Sequence, residues 1–130
     1  MLSSKRIAIL GMGKIGGNLA GSLVRSGAVR AENIWGTTAH DDTAEAAANR
    51  YGVSVGTDSL KAAEGRDIVV LAVKPQNMAE LLEQIKPVIQ PHQLIISLSA
   101  AITTRFIESY LTDSPVIRAM SNTPCLVNAG

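Results

Sequence analysis

Cysteine, histidine and net charge are all scarce in this chain of 130 residues. The single cysteine, Cys125, excludes an internal disulfide and every multi-cysteine metal site, and it suits a reducing compartment. Between Pro124 and Leu126 it reads as a small apolar filler. The two histidines offer no convincing acid–base pair. His92 lies between Pro91 and Gln93 and reads as a surface residue of a connection, so no catalytic residue and no metal ligand is assigned. Twelve basic and eleven acidic residues leave a formal charge of +1, which gives no electrostatic footprint for nucleic acid or anionic lipid. Small molecules and other subunits remain as partners. No apolar stretch approaches the length of a membrane span. The segment Met1-Leu2-Ser3-Ser4-Lys5-Arg6 lacks the apolar region and cleavage site of a signal peptide, so a cytoplasmic protein is expected.

Glycine is what the chain has in quantity, 11 in all, and three of them are spaced in Gly11-Met12-Gly13-Lys14-Ile15-Gly16. The run Arg6-Ile7-Ala8-Ile9-Leu10 before this turn reads as a buried parallel strand, and an amphipathic helix follows it. That is the context in which G-x-G-x-x-G binds a dinucleotide. Gly11 permits the tight turn, Gly13 lets backbone N–H groups approach a pyrophosphate, and Gly16 lets helix and strand pack closely. The phosphates are expected on the helix N-terminus, where unpaired N–H groups and the helix dipole favour an anion. The plainer alternative is a tight strand-to-helix connection that binds nothing.

Periodicity organises the rest. A helix is expected from Lys14 to Arg25, with Gly27 as its stop, then a strand over Asn33-Ile34-Trp35-Gly36-Thr37. Asp41, Asp42 or Thr43 can cap a helix running from Ala44 to Tyr51 and stopped by Gly52. Val53-Ser54-Val55 is an edge-type strand, Asp58 or Ser59 caps a brief helix ending near Gly65, and residues 67–73 form the most apolar run, a central strand. A helix from Gln76 to Ile89, a strand over residues 94–98, a helix from Thr103 or Thr104 to Leu111 and a last strand over residues 115–119 complete the pattern. Strands alternating with helices predict one domain over residues 1–130: a Rossmann-type, doubly wound, mostly parallel α/β sheet with helices on both faces. A chain of this length buries roughly two-thirds of its unfolded surface, enough for a core without a disulfide or metal.

A dinucleotide fold selective for NAD places Asp or Glu at the end of the second strand, where it bonds the ribose hydroxyls. This chain has Gly36-Thr37-Thr38-Ala39-His40 there. Thr37, Thr38 and His40 offer hydroxyl and imidazole donors to a 2′-phosphate instead, which favours NADPH as the cofactor. NADH stays open if Asp41 or Asp42 reaches the ribose.

Three further stretches sit at carboxyl ends of expected parallel strands, where ligands of open α/β sheets bind: Ala72-Val73-Lys74-Pro75-Gln76, Ser97-Leu98-Ser99-Ala100-Ala101, and Arg118-Ala119-Met120-Ser121-Asn122-Thr123-Pro124. Together with the glycine turn, they make the whole chain resemble the N-terminal half of the pyrroline-5-carboxylate reductases. The resemblance implies that residues 11–16, Met12, Lys14 and Ile15 included, cradle the pyrophosphate, and that Thr38 and Ser59 lie near the adenosine. It implies that Val73, Lys74 and Pro75, following Ala72, flank the nicotinamide ribose. Ala100 and the turn Asn122-Thr123-Pro124 would border the nicotinamide and the carboxylate of the substrate, 1-pyrroline-5-carboxylate. The implied activity is NADPH-dependent reduction of that imine to L-proline.

The chain departs from the family pattern at Ser99-Ala100-Ala101, where Ala-Ala-Gly is usual, at Ser121, where Pro is frequent, and near Ala39, where an Arg is frequent. Ala101 must therefore avoid positive φ or shift its loop. The helical second domain that completes the substrate site and makes the family's homo-oligomer has no counterpart in these residues. Weak activity or none is expected of the chain alone. The alternative from another class is a stand-alone, non-catalytic dinucleotide-binding or redox-sensing module.

Overall fold

The computed structural model of this chain describes residues 4–119. Six strands, β1 (Ile7–Leu10), β2 (Ile34–Thr37), β3 (Ser54–Gly56), β4 (Ile68–Leu71), β5 (Leu94–Ser97) and β6 (Val116–Arg118), are interleaved with five helices. These are α1 (Lys14–Arg25), α2 (Asp41–Tyr51), α3 (Ser59–Ala63), α4 (Met78–Ile85) and α5 (Thr104–Glu108). The strands form one sheet in the order β3-β2-β1-β4-β5-β6, and every pairing is parallel. The chain winds outward from β1 to β3, crosses over, and winds outward again from β4 to β6. Connections leaving β1 and β4 therefore diverge, and a crevice opens at the carboxyl end of that strand pair.

The inner strands β1 and β4 are apolar throughout because both faces are covered, whereas the edge strands β3 and β6 are largely exposed. Ile7 and Ile9 of β1 pack with Met12, Ala20, Val29, Ile34 and Ala47 under α1 and α2. Ala8 and Leu10 pack the other way with Val69, Leu71, Ile95 and the buried faces of α3, α4 and α5. Met78, Leu82 and Ile85 of α4 are fully enclosed, and burial of each contributes about 1.5–3 kcal/mol. The expected edge strand and central strand take those positions as β3 and β4.

Helix ends follow local chemistry. The Asp58 carboxylate accepts from the Lys61 amide at 3.2 Å, and the Thr103 hydroxyl accepts from that of Phe106 at 3.1 Å, capping α3 and α5. Three helices differ from expectation, α5 by ending at Glu108 rather than at Leu111. α2 begins at Asp41, with His40 at its cap position, so Asp41 and Asp42 sit inside the first turn rather than capping it. The Thr43 hydroxyl donates back to the His40 carbonyl at 2.8 Å, which draws that residue into the start of the helix. The long helix expected over 76–89 is the eight-residue α4 flanked by 3-10 turns, Pro75–Asn77 and Lys86–Val88. Pro87 has no N–H to continue the ladder.

Two contacts tie the lower half together. Gln93, fully buried, donates through Nε2 to the Ala63 and Arg66 carbonyls at 2.9 and 2.7 Å, and its Oε1 accepts from the Gln90 amide at 2.6 Å. The Arg66 guanidinium stacks 3.6 Å from the centroid of Trp35 while its Nε donates to the Ala62 carbonyl. Burial, then the neighbouring Arg6 charge, holds Arg66 below the usual arginine range, against a smaller upward pull from Glu64.

Candidate functional site

β1 runs straight into the glycine turn at the crevice. Gly11 has φ +108°, and a Cβ there would stand 2.8 Å from the Ala72 carbonyl carbon and 2.9 Å from the Val73 amide. Only glycine meets both conditions. At Gly16 a Cβ would drive into the Gly11 carbonyl oxygen and lie 3.2 Å from the Ala72 Cβ, so the start of α1 packs directly on the turn and on the end of β4. Gly13 differs: nothing lies within 4 Å of its Cβ position. Two glycines are consumed by packing, and the third leaves the outer side of the turn open.

Met12 is 5% exposed and lies over Gly36, whose Cβ position its side chain fills. Lys14 and Ile15 point outward, Ile15 being 41% exposed. The helix instead meets the sheet through Gly16, Gly17, Ala20 and Gly21, while Leu19 and Leu23 are half-buried at its side. The first turn of α1 has no side-chain cap and no acidic residue, so its N–H groups face the open space beside Gly13.

A cavity of about 320 Å³ follows the turn toward the second half of the sheet and brings together Gly11, Thr37, Thr38, Ser59 and Val73. Thr37 lines it and also braces the turn: its hydroxyl oxygen accepts from the Gly11 amide at 3.2 Å and its carbonyl from the Met12 amide at 2.7 Å, and the residue is 4% exposed. Thr38 donates its hydroxyl to the His40 carbonyl at 2.9 Å. His40 is exposed and does not line this cavity.

Lys74 and Pro75 are exposed in the turn after β4, next to half-buried Ala72 and Val73. Ala100 is exposed in the loop after β5, which folds as the Ser97 hydroxyl accepts from the Ser99 amide at 3.2 Å. Ala101 meets the first of its two alternatives, since no described residue other than glycine has positive φ. Asn122, Thr123, Pro124 and Cys125 lie outside the described residues.

The same cavity contains residues that sequence reasoning missed: Thr57, and Asn77, Glu80 and Gln84 from one side of α4 and its leading turn. Their spacing of three and four residues is the signal that could have found them, although a polar stripe on an amphipathic helix reads equally as a solvated face. Among the described residues, no helix is long and apolar enough to cross a membrane.

The strand order, the crossover and the glycine turn at its foot define a Rossmann-type α/β domain. Residues 6–101 match the family described as NADP oxidoreductase coenzyme F420-dependent, and the chain belongs to that family. It is also similar to pyrroline-5-carboxylate reductases. It is 35% identical to that of Escherichia coli over 127 residues, covering 97% of this chain and 47% of the relative. It is 33% identical to pyrroline-5-carboxylate reductase 1 of Bacillus subtilis over 131 residues, covering 99% and 44%. The solved structure of a pyrroline-5-carboxylate reductase from Coxiella burnetii superimposes with a TM-score of 0.86 at 31% identity, over 95% of this chain and 46% of that one. The chain spans about half the length of the curated relatives it matches.

Proposed function

We propose that this chain is the NADPH-binding domain of a pyrroline-5-carboxylate reductase. The observation that carries the reading is the open Gly13 position beside the uncapped first turn of α1, at the point where the sheet changes winding direction. Membership of an NADP oxidoreductase family and similarity along the whole chain to pyrroline-5-carboxylate reductases support the cofactor and the substrate.

In this reading the N–H groups between Gly13 and Gly16 hold the pyrophosphate, while Thr38 and Ser59 lie along the adenosine. Val73, Lys74 and Pro75 flank the nicotinamide ribose, Lys74 adding a positive charge at a strand end. Ala100 borders the nicotinamide, and Asn122, Thr123 and Pro124 the substrate carboxylate. Bound NADPH supplies a hydride from C4 of its nicotinamide to C5 of the C=N bond, and a proton taken up at nitrogen completes L-proline. The chain's own contribution is orientation of the dinucleotide against the imine carbon. No acid–base pair is assigned, so the proton comes from solvent or from the remainder of a longer protein, which also makes the homo-oligomer.

The test is NADPH consumption in the presence of 1-pyrroline-5-carboxylate, run beside a calorimetric titration of the same sample. Dinucleotide binding with little or no turnover is expected. Turnover equal to that of a full-length relative would overturn the incompleteness of the site. Normal binding with no turnover even beside the remaining half of a relative would favour a non-catalytic module.

A further inference from the structure

A second cavity lies on the other flank of the glycine turn, between α1 and α2. It measures about 500 Å³ and is lined in part by Gly13, Lys14 and Asn18 on one side and Thr43, Arg50 and Tyr51 on the other. Its charged lining among the described residues is wholly basic, Lys14 and Arg50. The cavity on the β4 side has the opposite character, with Glu80 and neither lysine nor arginine. Neither Lys14 nor Arg50 is paired with a carboxylate among the described residues. Arg50 instead rests 5.5 Å from the centroid of the Tyr51 ring, and that ring packs against the backbone of Gly17. The absence of a side chain at Gly17 is thus what lets α2 bring Arg50 alongside the start of α1.

NADPH differs from NADH by a 2′-phosphate on the adenosine ribose, and a fold of this kind accommodates it with a nearby Arg. The end of β2 supplies none: it reads Thr37-Thr38-Ala39. The ribose that carries the 2′-phosphate also carries the pyrophosphate through its 5′ oxygen, so the two anionic groups must occupy adjoining parts of the surface. Gly13 and Lys14 are common to the turn and to the basic groove. Met12 joins them to β2, because its amide donates to the Thr37 carbonyl and its side chain covers Gly36.

We propose that the groove between α1 and α2 takes the 2′-phosphate, with Arg50 and Lys14 as its cations, and that it sets the preference for NADPH over NADH. The assignment rests on the reading of the glycine turn as the pyrophosphate site. Arg50 brings to this groove, from the last turn of α2, the guanidinium that the end of β2 lacks. A guanidinium suits this task because it presents several donors in a fixed fork to phosphate oxygens.

The experiment compares two ligand pairs that differ only in this phosphate, NADPH with NADH and 2′,5′-ADP with 5′-AMP. Each is titrated calorimetrically into the unmodified chain, Arg50→Ala and Arg50→Lys, with circular dichroism to verify folding. Arg50 is exposed, so its truncation leaves the core intact. Arg50→Ala is expected to weaken NADPH and 2′,5′-ADP about tenfold and to leave NADH and 5′-AMP within about twofold. Arg50→Lys should recover part of the loss, and Lys14→Gln should lower the NADPH-to-NADH preference further. An equal loss for both members of each pair, or no loss for either, would overturn the proposal while leaving the cofactor reading in place. Binding of neither dinucleotide by the unmodified chain would remove the cofactor reading and this proposal together.

Discussion

The Thr37 hydroxyl accepts the Gly11 amide hydrogen bond at 3.2 Å, so the end of β2 holds the start of the glycine turn in position. The Thr37 carbonyl does the same for Met12 at 2.7 Å. A residue expected to face the cofactor thus also supports the turn. Thr37→Val keeps the shape and deletes the acceptor, leaving the Gly11 amide without this partner. A loss of about 1–2 kcal/mol in urea unfolding is expected, with weaker binding of NADPH and NADH alike. Unchanged stability would mean that the turn holds itself.

The glycines of the turn should separate cleanly. Gly11→Ala places a Cβ against the Ala72–Val73 backbone at positive φ and should cost more than about 2 kcal/mol, seen as a lower thermal midpoint or loss of folded protein. Gly13→Ala adds a methyl group in open space, so the fold should survive while dinucleotide affinity falls. A Gly13→Ala protein that binds as tightly as the parent would argue against phosphate approaching that backbone.

Gln93 tests the lower half of the domain. Gln93→Leu removes a fully buried amide that bonds the Ala63 and Arg66 carbonyls and the Gln90 amide, and it leaves the Ala63 carbonyl with only the long 3.4 Å bond from the Arg66 amide. About 3 kcal/mol of destabilisation is expected by chemical denaturation, with dinucleotide affinity unchanged where the protein remains folded. Near-neutral stability would show that water replaces the amide.

Arg66 offers a spectroscopic check, because Trp35 is the single tryptophan. Arg66→Met removes the guanidinium from the indole face and should change the emission intensity at a cost of about 1 kcal/mol. Emission indistinguishable from that of the parent would mean that the stack is not populated in solution.

Much of this architecture is written locally in the chain. Apolar runs mark strands buried on both faces, and Gly27 and Gly52, both at positive φ, end α1 and α2 as their positions suggest. The glycine turn is legible because its spacing states a backbone requirement. What escapes a reading of the sequence is chemistry assembled by packing. Gln93 looks like a connection residue until the Ala63 and Arg66 carbonyls close around it. Lys14 and Arg50 lie 36 positions apart and share a groove only because α1 presents Gly17 to Tyr51. Asn77, Glu80 and Gln84 look solvated until the crevice places Thr38 and Ser59 opposite them.

The central claim is that the crevice at the foot of β1 and β4 holds the dinucleotide. Amide chemical-shift mapping of the isotopically labelled chain during titration with NADPH tests it most directly. The expected result is a set of perturbations centred on residues 11–16, continuing through Thr38, Ser59 and residues 73–75 to Ala100. Shifts that are absent there at saturating NADPH, or that gather on β6 and α5 instead, would contradict the assignment.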